Sequence, residues 1–454
     1  MRKAMVLTRP LIVQSKLLCF SLLYLFATLF LAIYTTLTTR CLFRSSPFDP
    51  IISPLFSYPS SYGPHKYALP THRPSCSSPV FFSDYPTILR EIMALCENSS
   101  FATSGAALRY MYGKGNKANN FGGDMNSPER FSYFDQENHG GIEIPCGFHK
   151  EFPISEIDKM AMEKCRGVVV VSAIFNDHDK VRQPRGMGSQ TMAATCFFMF
   201  VDDTTLNEFF RHRLISIRSK EDLRIGVWRI VRVSADDLYE NPAMNGVIPK
   251  YLVHRLFPNS KFSIWVDAKL QLVVDPLLLI HSLLVSEGVD MAISRHPYYI
   301  HTIEEAIATA RWKKWRDVGS LRVQMETYCD HGLLPWSPNK FPYPSDVPDS
   351  ALIIRKHGLR SDLFSCLVFN ELNSFNPRDQ LAFAFVRDSM RPRLRLNMFD
   401  VEVFEHVAME YRHNLKQTEE KGMRRSVRPP NSSSLPVNGS YWGRCEKYLS
   451  QIWS

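Results

Sequence analysis

The chain of 454 residues lacks most of the short motifs that identify well-known enzyme classes. It contains no HExxH zinc motif, no Walker phosphate-binding loop and no GxGxxG dinucleotide fingerprint. The stretch GMGSQ (186–190) does not match the GxSxG nucleophile elbow of hydrolases. No CxxC pair or Cys/His spacing predicts a zinc site. The function must therefore be inferred from how strands, helices and polar residues are arranged.

Long runs of one charge are also scarce. The formal net charge is +9, but the basic residues are scattered, apart from the stretch EEKGMRRSVRPP near the C-terminus. No nucleic-acid-binding module is recognisable in the sequence. Part of the positive excess simply flanks an apolar run near the N-terminus. The charge pattern therefore argues against nucleic acid as a partner.

Only one apolar run is long enough to cross a bilayer as a helix, LLCFSLLYLFATLFLAIYTTL (17–37). The flanking basic residues are Arg2, Lys3, Arg9 and Lys16 before it, and Arg40 and Arg44 after it. This bias predicts a cytosolic N-terminus and a type II signal anchor. A cleaved signal peptide is the alternative, but the run is long for one and YTTLTTRC is a poor cleavage site.

The composition divides the chain into six segments. We expect a cytosolic N-terminus, a transmembrane signal anchor, a Pro/Ser-rich stem, a pre-domain region, a catalytic domain and a flexible C-terminal tail, in residues 1–16, 17–39, 40–88, 89–145, 146–416 and 417–454. Glycosylation sequons at Asn98, Asn431 and Asn438 agree with a lumenal position beyond the anchor. Nine of the ten cysteines follow the apolar run, so some are expected to pair in an oxidising lumen, in a pattern that the sequence leaves open.

Apolar runs typical of strands alternate with helical patterns in the predicted catalytic domain. The runs GVVVVSAIF (167–175) and KFSIWVDA (261–268) predict strands. The stretch DPLLLIHSLLVSEG (275–288) predicts a helix with Asp at the N-cap and Pro at the first helical position. Such alternation predicts an α/β domain with a largely parallel sheet flanked by helices.

Polar residues follow several of the predicted strands. They include Asp177, Asp179, Lys180 and Arg182 in NDHDKVRQPR (176–185), then Asp202 and Asp203, then Asp267 and Lys269 in IWVDAKLQLVVDP (264–276), then Arg295 and His296. Ligands of open α/β sheets bind beyond the carboxyl ends of the strands. Each residue alone has a structural alternative, since a carboxylate at a strand end commonly caps the next helix or turn. Their convergence on one edge favours a binding site there.

Further candidates come from predicted helices and the C-terminal region. Asp379 begins a helix, where an acidic residue also complements the helix dipole. Lys250 and Arg255 lie on one predicted helix (246–257), which faces either a phosphate or solvent. His413 follows the last apolar pattern and has a simple exposed position as its alternative.

Six segments together resemble a known family. They are AIFNDHDKVRQP, PKYLVHRLFPNSKFSIWVDAKLQL, DMAISRHPYYIHTIEEA, PDSALIIRKH, RDQLAFAFV and YRH, in this order within residues 145–416. This set resembles the plant glycosyltransferase-like family of the turgor regulation defect protein and the mucilage-related hexosyltransferases. The resemblance implies a GT-A-like, Rossmann-type domain on a single-pass type II protein of the Golgi membrane, or of another endomembrane such as the endoplasmic reticulum.

The resemblance also implies roles for individual residues. Asp267 takes the place of the first carboxylate in the Asp-x-Asp pair of GT-A enzymes, and Lys269 stands where the second would be. Asp267, Asp379 and Lys269 are the implied catalytic residues, and Asp267 and His413 the implied ligands of Mn²⁺ or another divalent cation. The implied nucleotide-sugar contacts are Asp177, Asp179, Lys180, Arg182, Lys250, Arg255 and His296. Asp349 occupies the place where the general pattern has a glutamate.

Three functions follow from this resemblance. The leading one is transfer of a hexose from a nucleotide sugar, expected to be UDP-linked, to a cell-wall polysaccharide or a glycoconjugate. The second is alkaline ceramidase activity, which is reported for one branch of the family. The third is a non-catalytic lumenal scaffold, because the second carboxylate of the metal motif is missing.

Overall fold

The structure is a computed structural model that describes residues 16–38, 51–52, 62, 85–97, 108–111, 121–136, 143–215, 222–234, 238–411 and 413. The three sequons, most of the predicted stem and the whole predicted C-terminal tail lie outside these residues. A helix, Lys16–Thr38, covers the apolar run. Across the described segments, no helix has both the length and the apolar character needed to cross a membrane. The signal anchor therefore stays a prediction.

The described strands follow one another along the whole chain. They are β1 Ile51–Ile52, β2 Arg109–Tyr110, β3 Glu143–Ile144, β4 Val168–Ile174, β5 Met187–Gly188, β6 Thr195–Val201, β7 Arg224–Ile225, β8 Trp228–Arg232, β9 Phe262–Val266, β10 Leu270–Leu272, β11 Met291–Arg295, β12 Pro348–Lys356, β13 Leu396–Phe399 and β14 Ala408–Glu410. The main sheet has eight of them, in the spatial order β13-β11-β12-β9-β4-β6-β8-β7. The pairs β1–β5, β2–β3 and β10–β14 form small separate ribbons.

The described helices connect and cover these strands. They are α1 Lys16–Thr38, α2 Tyr85–Glu97, α3 Ser127–Ser132, α4 Glu156–Glu163, α5 Ser189–Ala194, α6 Asp203–Arg211, α7 Pro242–Tyr251, α8 Val253–Leu256, α9 Pro276–Ile280, α10 Thr302–Arg311, α11 Val318–Asp330, α12 Leu359–Ser374, α13 Asp379–Ser389 and α14 Val401–Val407. A π-helical turn, His281–Val285, continues α9, and a 3₁₀ turn spans Pro338–Lys340.

Six of the eight main strands run in the same direction. The pairs β13–β11, β9–β4, β4–β6 and β6–β8 are parallel, while β12 lies antiparallel between β11 and β9, and β7 is antiparallel to β8. The predicted α/β class with a mostly parallel sheet is confirmed.

Alternation along the buried strands creates one core on each face of the sheet. In β4, Val169 and Val171 join one hydrophobic cluster, and Val168 and Val170 join the other. All four side chains are buried, as expected for a strand with both faces covered. Disulfides Cys146–Cys366 and Cys165–Cys196 link distant parts of the chain.

Two local predictions from the sequence differ from the structure. The helix predicted over 246–257 is divided into α7 and α8 at Leu252. Pro249 lies inside α7 and has no N–H to donate to the helical ladder, which weakens the helix at this point. The helix predicted over 275–288 is regular only in α9 and continues as the π-helical turn.

Candidate active site

Strand direction brings four chain segments to one edge of the sheet. Asp267 directly follows β9 and His296 directly follows β11, and these two strands are parallel. Because β12 runs the opposite way between them, its second residue, Asp349, lies at the same end. The loop after β4, which carries Asp177 and Asp179, reaches this end too. We call this end of the sheet the carboxyl edge; it is where open α/β sheets bind ligands.

A buried ion-pair network lies beneath the carboxyl edge. Lys250 of α7 places its Nζ 2.6 Å from Oδ2 of Asp379 and 3.8 Å from Oδ1 of Asp267. The same ammonium donates to Oγ of Ser350 at 3.1 Å, and that hydroxyl donates to Oδ1 of Asp379 at 2.8 Å. The hydroxyl of Tyr251 donates to Oδ2 of Asp379 at 2.9 Å. Both oxygens of Asp379 are thus occupied, and the residue is only 5% exposed.

These contacts decide the charge of Asp379. Burial alone would raise the pKa of its carboxyl group, but the Lys250 ion pair and the hydrogen bonds from Lys250 and Ser350 outweigh burial and lower the pKa. Burial and the neighbouring Asp379 carboxylate raise the pKa of Tyr251 well above its ordinary value. Asp379 is therefore a stable carboxylate and a weak proton acceptor.

Asp267 is held on one side and open on the other. The indole Nε1 of Trp265 donates to its Oδ1 at 2.6 Å, and its backbone N–H donates to the carbonyl of Ala351 at 2.8 Å. The side chain remains about one third exposed, in contrast to Asp379. The strand thus fixes the carboxylate and leaves part of it accessible at the carboxyl edge.

Lys269 lies among three carboxylates. Its Nζ is 2.7 Å from Oε1 of Glu410, because β10 and β14 pair antiparallel in this register. Burial lowers the pKa of Lys269, but Glu410, Asp267 and Asp349 together outweigh burial, and the net shift is upward. Burial raises the pKa of Asp349 to about 6, against the opposing effect of Lys269. The carboxyl edge thus combines a permanent ammonium with a carboxyl group that titrates near neutrality.

The C-terminal segment folds back onto the loop after β4. Nδ1 of His413 lies 2.9 Å from Oδ1 of Asp179, and the His413 ring lies 4.6 Å from that of His178. The hydrogen bond with Asp179 raises the pKa of His413. Burial, with the neighbouring His413 charge, lowers the pKa of His178.

The other predicted contacts in this loop hold the loop itself. Asp177 adopts a left-handed backbone (φ 51°), and its N–H donates to Oγ1 of Thr205 at 3.0 Å. Lys180 donates to the carbonyl of Tyr62. The guanidinium of Arg182 lies 4.0 Å above the ring of Tyr411.

Asp202 and Asp203, which follow β6, have local partners. Asp202 caps α6 by accepting from the N–H of Thr205 at 2.9 Å, and Asp203 pairs with Arg232 at 2.5 Å. Asp202 therefore fits the structural alternative of a helix cap, and Asp203 forms an ion pair instead.

Of the last two predicted nucleotide contacts, only one lies at the carboxyl edge. Arg255 donates to the carbonyl of Cys146 at 2.7 Å and packs between the rings of Tyr110 and Phe148, so it is not brought together with the Asp267 group. His296 lies at the carboxyl edge, and burial lowers its pKa to about 4, which keeps its imidazole neutral.

The described side chains do not fit a preassembled metal centre at Asp267. Among the described residues, the one group of three possible ligands close enough to share an ion is Cys146, His254 and Cys366, and its two cysteines form a disulfide. Asp267 accepts from Trp265, and His413 is paired with Asp179. The ammonium of Lys250 lies 3.8 Å from Oδ1 of Asp267, and Lys269 interacts electrostatically with the same carboxylate.

Ser350 and Glu410 were absent from the predicted site residues, and Asp349 was noted only as the residue in the place of a glutamate of the general pattern. Asp349 and Ser350 depend on the reversed direction of β12, and Glu410 on its pairing with β10. The sequence signal for them is limited to polar residues beside apolar runs, in PDSALIIRK and AMEY.

Comparisons with solved structures give distant similarity. The chain aligns with mouse xyloside xylosyltransferase 1 at 9% identity and a TM-score of 0.28, over 51% of this chain and 84% of that one. It aligns with the bifunctional glycosyltransferase WbbM at 9% identity and a TM-score of 0.26, over 51% of this chain and 38% of that one. We draw no conclusion from similarities of this size.

Comparisons of sequence are decisive. A family model described as TOD1/MUCI70, glycosyltransferase-like domain, matches residues 108–413. The chain is 58% identical to "Alkaline ceramidase TOD1" of Arabidopsis thaliana over 461 aligned residues, which cover 98% of both proteins. It is 35% identical to "Probable hexosyltransferase MUCI70" of the same plant, over 80% of this chain and 62% of that protein. The resemblance seen in the sequence is thereby confirmed, and the chain belongs to the TOD1/MUCI70 family of glycosyltransferase-like proteins.

Proposed function

We propose that this protein is a glycosyltransferase of the Golgi membrane, anchored by residues 17–39. It transfers a hexose from a UDP-linked sugar to a cell-wall polysaccharide or a glycoconjugate in the lumen. The glycosyltransferase-like family domain supports the reaction class. The observation that carries the proposal is the carboxyl edge, where Asp267, Asp349 and Lys269 converge.

Lys269 is the proposed partner of the donor diphosphate. As the bond between sugar and diphosphate breaks, negative charge develops on the leaving group, and a fixed cation stabilises it. Lys269 is held at the edge by Glu410, so it is positioned before the donor binds. Lys250 adds a second ammonium, 3.8 Å from Asp267. The divalent cation implied by the resemblance stays a prediction, and no step proposed here passes through it.

Asp349 is the proposed base. The acceptor oxygen attacks C1 of the sugar, its proton passes to the Asp349 carboxylate, and the nucleotide diphosphate leaves with the bonding electrons. A base works best with a pKa near the working pH, and burial raises the pKa of Asp349 to about 6. Asp379 is less suited to this step, since its oxygens already accept from Lys250, Ser350 and Tyr251. We assign Asp379 the role of positioning Lys250.

Ceramide hydrolysis at alkaline pH is the second candidate. The specific observation in its favour is the 58% identity, over nearly the whole chain, to a relative named alkaline ceramidase. In that reaction water would attack the amide carbonyl and give a proton to Asp267 or Asp349. The C–N bond would then break, and the amine would leave with that proton.

Nucleotide binding by the purified full-length chain separates these candidates. Thermal stability is measured with UDP, GDP and their hexose derivatives, with and without Mn²⁺. We expect a UDP compound to stabilise the wild type and the Lys159→Met variant but not Lys269→Met. Lys159 is a suitable control because it pairs with Glu156 on α4, before β4 begins and so away from the carboxyl edge.

Two outcomes would contradict the transferase. One is unchanged stability with every nucleotide, which would leave the scaffold function. The other is sphingosine release from ceramide that Asp267→Ala abolishes, which would favour the ceramidase. Release that persists in Asp267→Ala would point to a contaminant.

A further inference from the structure

An exposed aromatic cluster follows β11 at the carboxyl edge. It consists of His296, Tyr298, Tyr299 and Trp312, and we call it the aromatic platform. Tyr298 is 64% exposed and Trp312 is 49% exposed. Neighbouring large aromatic groups left exposed on a folded domain commonly mark a binding surface.

The platform is rigidly built. Nδ1 of His296 accepts from the backbone N–H groups of Tyr298 and Tyr299, each at 3.1 Å. The rings of His296 and Tyr299 are stacked, with centroids 5.0 Å apart and planes inclined by 21°. The Trp312 indole hydrogen-bonds the Tyr299 hydroxyl, which ties α10 to the loop. The backbone N–H of Asp346 donates to the carbonyl of Ile300 at 2.9 Å and fixes the end of the loop. Such a surface loses little conformational entropy when a ligand binds.

The platform adjoins the proposed reaction site. The backbone N–H of His296 donates to the carbonyl of Val347 at 2.9 Å, two residues before Asp349. The loop that carries Tyr298 is therefore attached, through His296, to the segment that leads into Asp349.

Charged groups flank the rings. Lys314 lies 5.9 Å from the centre of the Tyr299 ring, and its Nζ is 3.3 Å from Oε1 of the buried Glu305. Arg378 reaches the same oxygen at 2.5 Å, and both cations are partly exposed. The surface thus offers flat apolar rings with hydrogen-bond donors at their border.

A pyranose ring has the complementary character, with C–H groups on its face and hydroxyl groups around its rim. An acyl chain instead needs an enclosed apolar channel, and donors at its border would gain nothing from it.

We propose that the aromatic platform binds the glycan chain of the acceptor, with Tyr298 and Trp312 stacking on its sugar rings. This inference rests on the proposed transferase function and makes the acceptor a saccharide of several units. In this proposal the rings hold the acceptor and take no part in the chemistry.

The test uses the full-length chain and variants of exposed residues. Tyr298→Ala and Trp312→Ala remove the rings, while Tyr298→Phe and Trp312→Phe retain an aromatic face. Met160→Ala is the matched control, since Met160 is 50% exposed on α4, before β4 begins and so away from the carboxyl edge. Binding is measured by gel retardation with soluble pectin, xylan and galactan, and by flotation with vesicles that contain ceramide. Binding of UDP is measured in parallel.

We expect the wild type to bind at least one polysaccharide and each alanine variant to bind it roughly tenfold more weakly. The phenylalanine variants and Met160→Ala should bind within about twofold of wild type, and UDP binding should not change in any variant. Equal polysaccharide binding by the alanine variants, or no polysaccharide binding by the wild type, would overturn the proposal. Loss of vesicle binding alone in the alanine variants would assign the surface to lipid and overturn it as well. Absence of UDP binding in the wild type would instead reject the proposed function.

Discussion

Replacing Lys250 by methionine should destabilise the protein strongly, for a reason that the buried network makes explicit. Lys250 and Asp379 are 9% and 5% exposed, and their charged atoms lie 2.6 Å apart. Removing one partner of a buried pair leaves the other charge without compensation, which costs about 3–5 kcal/mol. Ser350 and Tyr251 would still donate to Asp379, so we expect the lower half of this range. A loss of this size should lower the melting temperature by roughly 5–12 °C.

The pH dependence supplies a sharper form of the same prediction. In the wild type the folded pKa of Asp379 is lowered, so its contribution to stability is present above the unfolded pKa of about 4 and is lost as pH falls through the folded pKa. Without Lys250, burial raises the folded pKa of Asp379 above its unfolded value. The variant then loses stability as pH rises through the unfolded pKa. The deficit relative to wild type should therefore be largest near pH 7 and shrink towards pH 4.

The assay is guanidinium unfolding followed by tryptophan fluorescence, at several pH values, for the full-length chain. The double variant Lys250→Met/Asp379→Asn carries no uncompensated carboxylate and should recover more than half of the lost stability. Lys159→Met serves as the control and should change stability far less, because its partners Glu151 and Glu156 are both mostly exposed. A deficit below about 1 kcal/mol in Lys250→Met, or one that does not vary with pH, would refute the reasoning.

Three more predictions concern the carboxyl edge and the disulfide framework. Asp349→Asn should lower sugar transfer by roughly 10²–10⁴-fold and remove the acid limb near pH 6 from the rate profile; an unchanged limb would exclude Asp349 as the base. The raised pKa of His413 means that its pair with Asp179 stabilises the C-terminal segment below about pH 6.5 and is lost as pH rises through the folded pKa. In the wild type, amide-exchange protection of residues 408–411 should therefore fall as pH rises. In Asp179→Asn it should be low at every pH. Cys366→Ser should lower the free energy of unfolding by roughly 2–5 kcal/mol, since the disulfide closes a loop with a separation of 220 residues. The control Cys96→Ser removes an unpaired thiol and should have a smaller effect.

Much of the fold could be predicted because it is local in sequence. Strands β4, β6 and β9 of the central sheet each correspond to an apolar run, and β8 corresponds to an alternating one. The end of β9 at Asp267 follows from where its apolar run stops. The family could be identified because its segments are long and ordered. The edge residues Asp267 and His296 were found by the same logic, since parallel strands present their carboxyl ends together.

The remainder of the site depends on long-range pairing, which apolar patterns do not encode. The apolar pattern of β12 does not reveal whether the strand is parallel or antiparallel to its neighbours. The pattern of PDSALIIRK alone therefore did not place Asp349 beside Asp267. Glu410 meets Lys269 only because β14 pairs with β10 across 141 positions.

Calorimetric titration of the full-length wild type, Lys269→Met and Lys159→Met with UDP tests the central claim most directly. If the carboxyl edge binds a nucleotide diphosphate through Lys269, the wild type and Lys159→Met should bind UDP with equal affinity, and Lys269→Met should bind it at least tenfold more weakly. Equal affinity in all three proteins, or no binding in the wild type, would contradict the proposed site.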